Sequence, residues 1–248
     1  MIIKDPKSIF LKMKEEELLQ RFKEIINMGF VEAIGMSNSA VGMTLERLLD
    51  ITSNSSPLPD FGEIELKSIV VPRKDRFNKP VGLFSQVPDW ERSYYSGIHD
   101  FFDTYHYYSN NKRQLFITVN TRNINSIGLK LDLDDSNLYE IDGYSGEKLL
   151  IWEIEKLWEK LLIKHSKTFW IFAEKKIIDR NQYFHYFNIE YSANPIKENF
   201  VRLISLGEIQ LDHCISETKL GKTKERGPSF RIKMNSRPAL FETFIKIA

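Results

Sequence analysis

Cysteine occurs once in these 248 residues, as Cys214. A single thiol rules out an internal disulfide and any cysteine-cluster metal centre, and it suits a reducing compartment. With Leu211 and Ile215 nearby, it is expected as a buried strand thiol. Net charge is almost absent as well. The 35 basic and 34 acidic residues leave +1, so no global polycation announces nucleic acid, although a local basic cleft needs none. No apolar run approaches the roughly 20 residues that span a bilayer, and the opening Met-Ile-Ile-Lys-Asp-Pro has no hydrophobic signal segment, so a cytoplasmic protein without membrane contact is expected. The histidines His99, His106, His165, His185 and His213 lack metal-ligand spacing and read as structural. The absence of a glycine-rich phosphate loop and of a nucleophile elbow argues against a nucleotide-driven motor or a serine hydrolase.

What is present is the patterning of an ordinary α/β protein. Leu18, Leu19, Phe22, Ile25 and Ile26 recur at helical spacing, which predicts a packing helix over residues 8–28 with Gly29 as its stop. Ser39 is a possible N-cap for a second helix that carries Leu45, Leu48 and Leu49 inward and leaves Glu46 beside that apolar stripe. Strands are expected over 61–71, 81–87, 114–119, 128–133, 137–141, 168–173, 182–190, 209–215 and 229–234. Helices are expected within 94–108, from Ile151 through Leu162, from Asn194-Pro195 to a stop at Gly207, and over 238–247. The fold class is therefore α/β, a mixed sheet flanked by helices, with no repeat or obvious interdomain linker.

The stretch Asp60-Phe61-Gly62-Glu63-Ile64-Glu65-Leu66-Lys67 carries the chemistry. In a strand, Glu65 and Lys67 share one face while Ile64 and Leu66 turn to the buried one. Asp60 stands at the strand entrance after Pro57-Leu58-Pro59, and Gly62 can absorb a bend that swings its carboxylate toward Glu65. Two close carboxylates suit Mg²⁺, which prefers oxygen ligands and keeps several waters. Lys67 would orient the attacking water or stabilise developing charge. Taken alone, Glu-x-Lys is more often the solvated face of an amphipathic strand, and Glu46 taken alone is more often a surface carboxylate. The functional reading of Glu46 is a helix that leans over the strand and delivers a third carboxylate.

Two basic loops carry a similar double reading, as solvated turns or as DNA contacts. In residues 72–80, Arg73 and Lys74 would clamp phosphates. In residues 216–228, Lys219, Lys222 and Lys224 would bind phosphates while Glu225 and Arg226 address base edges. An adjacent Glu-Arg pair suits a C·G pair, with the carboxylate on cytosine N4 and the guanidinium on guanine O6 and N7. Arg231, on the following strand, would be a second guanine reader. The aromatic residues of 94–108 read mainly as packing, with Tyr94, Tyr105 and Tyr108 as possible contacts at the edge of a duplex.

Several ordered segments resemble the MvaI/BcnI type II restriction endonucleases, relatives of the MutH nickase within the PD-(D/E)xK superfamily, and the resemblance is closer to the BcnI branch. It runs through Val41-Gly42-Met43-Thr44-Leu45-Glu46-Arg47, the stretch 60–67, Gly82-Leu83-Phe84, Ser126-Ile127-Gly128-Leu129, Phe172-Ala173-Glu174, Leu211-Asp212-His213-Cys214-Ile215 and Arg226-Gly227-Pro228-Ser229-Phe230-Arg231-Ile232. It implies a nuclease core with a DNA-recognition lobe, catalytic approximately over 1–120 and recognition approximately over 165–235. Asp60, Glu65 and Lys67 are then the catalytic set, with Glu46 as accessory acid. The metal, Mg²⁺ with Mn²⁺ as substitute, would sit on Asp60, Glu65 and the Leu66 carbonyl. Asp212, Glu225, Arg226 and Arg231 would read bases. The resemblance further implies a monomer on double-stranded DNA, sequential strand cutting at a short C·G-rich pseudopalindromic site, and a companion methyltransferase. Ser85 and Lys224 stand where the BcnI branch has histidines, and Glu225 replaces an aspartate, so the target sequence does not carry over. A MutH-like GATC nickase and an inactive DNA-binding module are the competing readings, and intact Asp60, Glu65 and Lys67 argue against the second.

Overall fold

A computed structural model of the chain describes residues 6–51, 58–71, 79–217 and 227–247, with side chains from Glu15 onward. Its first half contains α1 (Pro6–Asn27), β1 (Phe30–Glu32), α2 (Ala40–Leu48), β2 (Ile64–Val70), β3 (Val81–Ser85), α3 (Ile98–Tyr105), β4 (Tyr107–Ser109) and β5 (Lys112–Val119). Then follow β6 (Leu129–Leu133), β7 (Asn137–Asp142), β8 (Lys148–Glu153), α4 (Ile154–His165), β9 (Lys167–Ile178), β10 (Asn181–Pro195), α5 (Lys197–Ser205), β11 (Ile209–Ser216), β12 (Ser229–Ile232) and β13 (Phe241–Lys246). A 3₁₀ turn at Met234–Ala239 precedes β13. The chain divides into two compact units, one of Met1–Arg76, Thr168–Tyr191 and Phe244–Ala248, the other of Phe77–Lys167 and Ser192–Thr243.

In the first unit the strands run β1-β10-β9-β2, and β13 pairs with β10. The helical periodicity of α1 buries Leu18, Phe22 and Ile25, and that of α2 buries Ala40, Val41 and Leu45. These residues share one core with Ile64 of β2, Phe169, Ile171 and Ala173 of β9, and Phe184, Tyr186 and Ile189 of β10. Each buried Leu, Ile, Val or Phe among them contributes roughly 1.5–3 kcal/mol by leaving water. A polar tie also enters this core. The Tyr186 hydroxyl donates to the Val41 carbonyl at 2.7 Å, and burial pushes its phenol well above the ordinary range, so it remains a donor at all physiological pH.

The second unit holds the antiparallel sheet β3-β12-β11-β5-β4 and the antiparallel meander β6-β7-β8. Helix α4 packs on β3, α5 on β11 and α3 on β5. Phe84 stacks on Phe230 with ring centroids 5.0 Å apart, and Trp152 meets Phe230 edge-on at 6.0 Å. The architecture is thus the expected mixed α/β arrangement of sheets with flanking helices.

Several local expectations are corrected. Residues 238–247 are not a helix; after the 3₁₀ turn, which contains Pro238, the chain becomes β13, and Ile247 N–H bonds the Ile189 carbonyl at 2.8 Å. Of residues 94–108 only Ile98–Tyr105 is helical, because Tyr107–Ser109 already pairs with β5. The helix expected from Ile151 begins at Ile154, since Ile151 to Glu153 pair with β7. Strands β9 and β10 run further than expected, and β10 absorbs Asn194-Pro195. Between them Asp179 and Arg180 both take positive φ, 48° and 68°, the geometry that matches a two-residue hairpin to strand twist. Cys214 is exposed. Alternation along β11 turns Leu211, His213 and Ile215 inward and leaves Cys214 on the opposite face, with Asp212 and Ser216.

Candidate functional site

The acidic stretch folds as its composition requires. Phe61 and Ile64 exchange both backbone hydrogen bonds at 3.0 Å, and Gly62, at φ +66°, supplies the left-handed residue of that tight turn. The turn brings Asp60 back along β2, where its Oδ2 accepts the Leu66 N–H at 2.9 Å. Strand alternation then works as expected at Ile64, which is in the core, and at Leu66, which packs against it. Glu65 is far deeper than a solvated strand face allows: the residue is 1% exposed. Lys67 reaches it, with Nζ 2.7 Å from Oε1, and the lysine side chain stays 27% exposed. A carboxylate at that depth would be costly without a cation. The pair therefore fixes an ammonium at the exit of a buried acid, with two further N–H donors for other groups.

Helix α2 packs on β2 and carries Glu46. Its position is set by Thr44, whose hydroxyl donates to the Ala40 carbonyl at 2.7 Å and accepts the Ile34 N–H at 2.9 Å, and by Arg47, which donates to the Glu32 carbonyl at 2.8 Å. Gly42 lies one turn earlier, where an added Cβ would stand 4.0 Å from Glu46 Oε1. Glu46 Oε2 is buried and has no hydrogen-bond partner among the described residues. Those residues contain no group of three or more Asp, Glu, His or Cys side chains placed to hold a metal ion, so Glu46, Asp60 and Glu65 do not form a ready three-carboxylate cage. Two carboxylates and a backbone carbonyl are a different set. They leave coordination positions for water and phosphate, as Mg²⁺ usually does, and their oxygen donors fit a hard cation.

In the second unit the structure brings together two of the expected base readers. Arg231 on β12 donates through Nη1 to Asp212 Oδ2 on β11, and through Nη2 to the Pro80 carbonyl at 2.7 Å. The Thr118 hydroxyl on β5 donates to Asp212 Oδ1 at 2.7 Å. Sequence reasoning missed Thr118 because nothing marks it within its strand. Only the long-range register that sets it opposite Asp212 gives it a partner. Arg73, Lys74, Lys222, Lys224, Glu225 and Arg226 lie outside the described residues. The chain on either side of 218–226 is anchored, by Glu217 N–H to the Arg113 carbonyl at 3.1 Å and by Gln86 N–H to the Pro228 carbonyl at 3.2 Å. Gly227 has φ +75°, and an added Cβ there would fall 2.7 Å from Val87 N and 2.8 Å from Gln86 C. Both neighbours are backbone, so glycine is required twice over.

Of the aromatic candidates, Tyr94 and Tyr108 are exposed, while Tyr105 packs on Phe101 and Tyr95. His165 and His213 are buried and engaged, with the Leu83 carbonyl at 2.9 Å and Glu140 at 2.8 Å, as their structural reading expects. No described helix is long and apolar enough to cross a membrane.

Two solved structures of the restriction endonuclease MvaI are similar to this chain. One, its complex with cognate DNA substrate, is 24% identical, covers 94% of this chain and 98% of that one, and has a TM-score of 0.78. The other, MvaI in the absence of DNA, is 22% identical, covers 100% of both chains and has a TM-score of 0.52. At these identities the likeness establishes the fold. No curated protein matches the chain. The profile described as MvaI/BcnI restriction endonuclease family matches residues 19–241, and enzymes of that family generally use a divalent metal ion. The chain belongs to the MvaI/BcnI restriction endonuclease family and is a type II sequence-specific DNA endonuclease.

Proposed function

We propose that the chain hydrolyses double-stranded DNA with Mg²⁺, as a monomer, at a short C·G-rich pseudopalindromic site, cutting one strand and then the other. The observation that carries this reading is the buried Glu65 paired with Lys67 beside the Asp60 turn. Asp60, Glu65 and the Leu66 carbonyl would hold the ion. When bound, it supplies charge neutralisation at the scissile phosphate and a lowered pKa for a coordinated water. The remaining work belongs to the chain. Glu65 holds Lys67 in place, and the free N–H donors of Lys67 orient the attacking water or stabilise charge on the phosphoryl oxygens. Glu46 offers a further acceptor from α2. Asp212 and Arg231 read a C·G pair, joined by Glu225 and Arg226, while Arg73, Lys74, Lys222 and Lys224 bind phosphates. A companion methyltransferase that protects the host sites completes the system.

Digestion of supercoiled plasmid with Mg²⁺, with the ends sequenced, tests this directly. Expected are an open-circular intermediate followed by linear DNA with ends at one short sequence. A product that stops at the open circle would overturn two-strand cutting and favour a nickase. Lys67→Ala should abolish cleavage while DNA binding stays measurable by gel shift. Cleavage at the wild-type rate would remove Lys67 from the catalytic set.

A further inference from the structure

The sheet of the second unit carries a polar row that crosses four strands. Ser85 on β3 stands opposite Ser229 on β12, Ser229 opposite Asp212 on β11, and Asp212 opposite Thr118 on β5. Directly opposed residues of an antiparallel ladder point to the same face, so these side chains form one strip. Within it the Asp212 side chain is only 10% exposed, whereas Thr118 is exposed. Each oxygen of Asp212 has its own donor, Thr118 on Oδ1 and Arg231 on Oδ2. The terminal torsion of an aspartate is soft. One donor leaves the carboxylate free to swing about that bond, whereas one donor on each oxygen fixes its plane.

We propose that Thr118 is a specificity-positioning residue: its hydroxyl locks the Asp212 carboxylate, and through Oδ2 the Arg231 guanidinium, in the orientation that reads a base pair. This rests on the assignment of Asp212 and Arg231 as base readers. The lock leaves both competent. A carboxylate oxygen has about two lone-pair sites, so a cytosine amino group can still be accepted. Arginine has five N–H donors, and the two used on Asp212 and Pro80 leave enough for guanine O6 and N7. A carboxylate free to turn would accept from more than one arrangement of base edges. Losing the lock therefore erodes discrimination between sites.

The test uses the full-length enzyme with Mg²⁺, a duplex carrying the cleavage site mapped on plasmid, and duplexes with each single base pair replaced. Thr118→Val keeps the side-chain shape at an exposed position without the hydroxyl, and Thr118→Ser keeps the hydroxyl. Thr118→Val is expected to lower the ratio of kcat/KM for the mapped site over one replaced site by about fivefold or more, the worth of one hydrogen bond. The affected base pair should be the one that Asp212→Ala also relaxes. Thr118→Ser should restore the ratio, with the melting temperature of both variants at the wild-type value. Wild-type discrimination in Thr118→Val overturns the proposal, and so does an equal loss in Thr118→Ser, because the hydroxyl is then not the cause. If Asp212→Ala and Arg231→Ala themselves discriminate like wild type, the base-reader assignment fails, and the proposal falls with it.

Discussion

Glu46 carries a cost that its local structure does not repay. A buried oxygen without a hydrogen-bond partner among the described residues destabilises by about 1–3 kcal/mol, and alanine is the best helix former for the same position. Glu46→Ala is therefore expected to raise the melting temperature by about 2–4 °C for each kcal/mol regained, while lowering the rate of plasmid cleavage. Calorimetry that finds no gain, or cleavage at the wild-type rate, would remove the accessory role. At this scale the sequence made the turn and strand of the acidic stretch 60–67 legible because strand alternation and one glycine each have a local physical meaning. The depth of Glu65 was not legible, since burial depends on α2 and the strands around it. Cys214 departs from its expected burial because Leu211 and Ile215, its apolar companions in sequence, have the opposite strand parity.

Glu208 joins the end of α5, the 120–123 connection and the 3₁₀ turn into one knot. Its Oε2 accepts from the Ser236 hydroxyl at 2.7 Å, and Oε1 meets Lys233 Nζ at 3.2 Å and Arg122 Nη2 at 3.1 Å. The Ser236 hydrogen bond foremost, with Lys233 and Arg122 beside it, holds the carboxyl below the usual carboxylate range against the opposing effect of burial. A depressed folded-state pKa contributes stability that is present above the unfolded value, about 4.3, and is lost as pH falls through the folded value. Glu208→Gln should therefore melt below wild type at neutral pH, with the gap closing as melts are repeated in progressively more acidic buffer. A gap independent of pH would assign the effect to packing. Elements with a strong period were readable, as α1, α2 and β11 illustrate, and Gly207 ends α5 at φ +63° as its position suggested. β13 was not, because a short apolar run fits either a helix or a strand and only the edge of β10 decides between them.

Neither compact unit is one continuous piece of chain. Residues 1–76 contain α1, β1, α2 and β2 together with all the proposed catalytic side chains, yet Phe169, Ile171, Ala173, Phe184, Tyr186 and Ile189 of their core come from β9 and β10. Expressed alone, residues 1–76 should show no cooperative thermal transition by circular dichroism; a sharp melt would mean that the amino-terminal elements carry their own core. The ordered motifs along the chain made the family legible, but the interleaving was not, because pairings such as Phe30 with His185 join residues far apart in sequence and leave no local mark. Gly227 has a consequence for engineering. Its close approach to the backbone at Gln86 and Val87, together with the Glu217 anchor, fixes the chain at 217 and at 227–228 by main-chain contacts. Randomising residues 218–226, which include the proposed base readers Glu225 and Arg226, is the corresponding search for altered target sequences, with Gly227 left untouched.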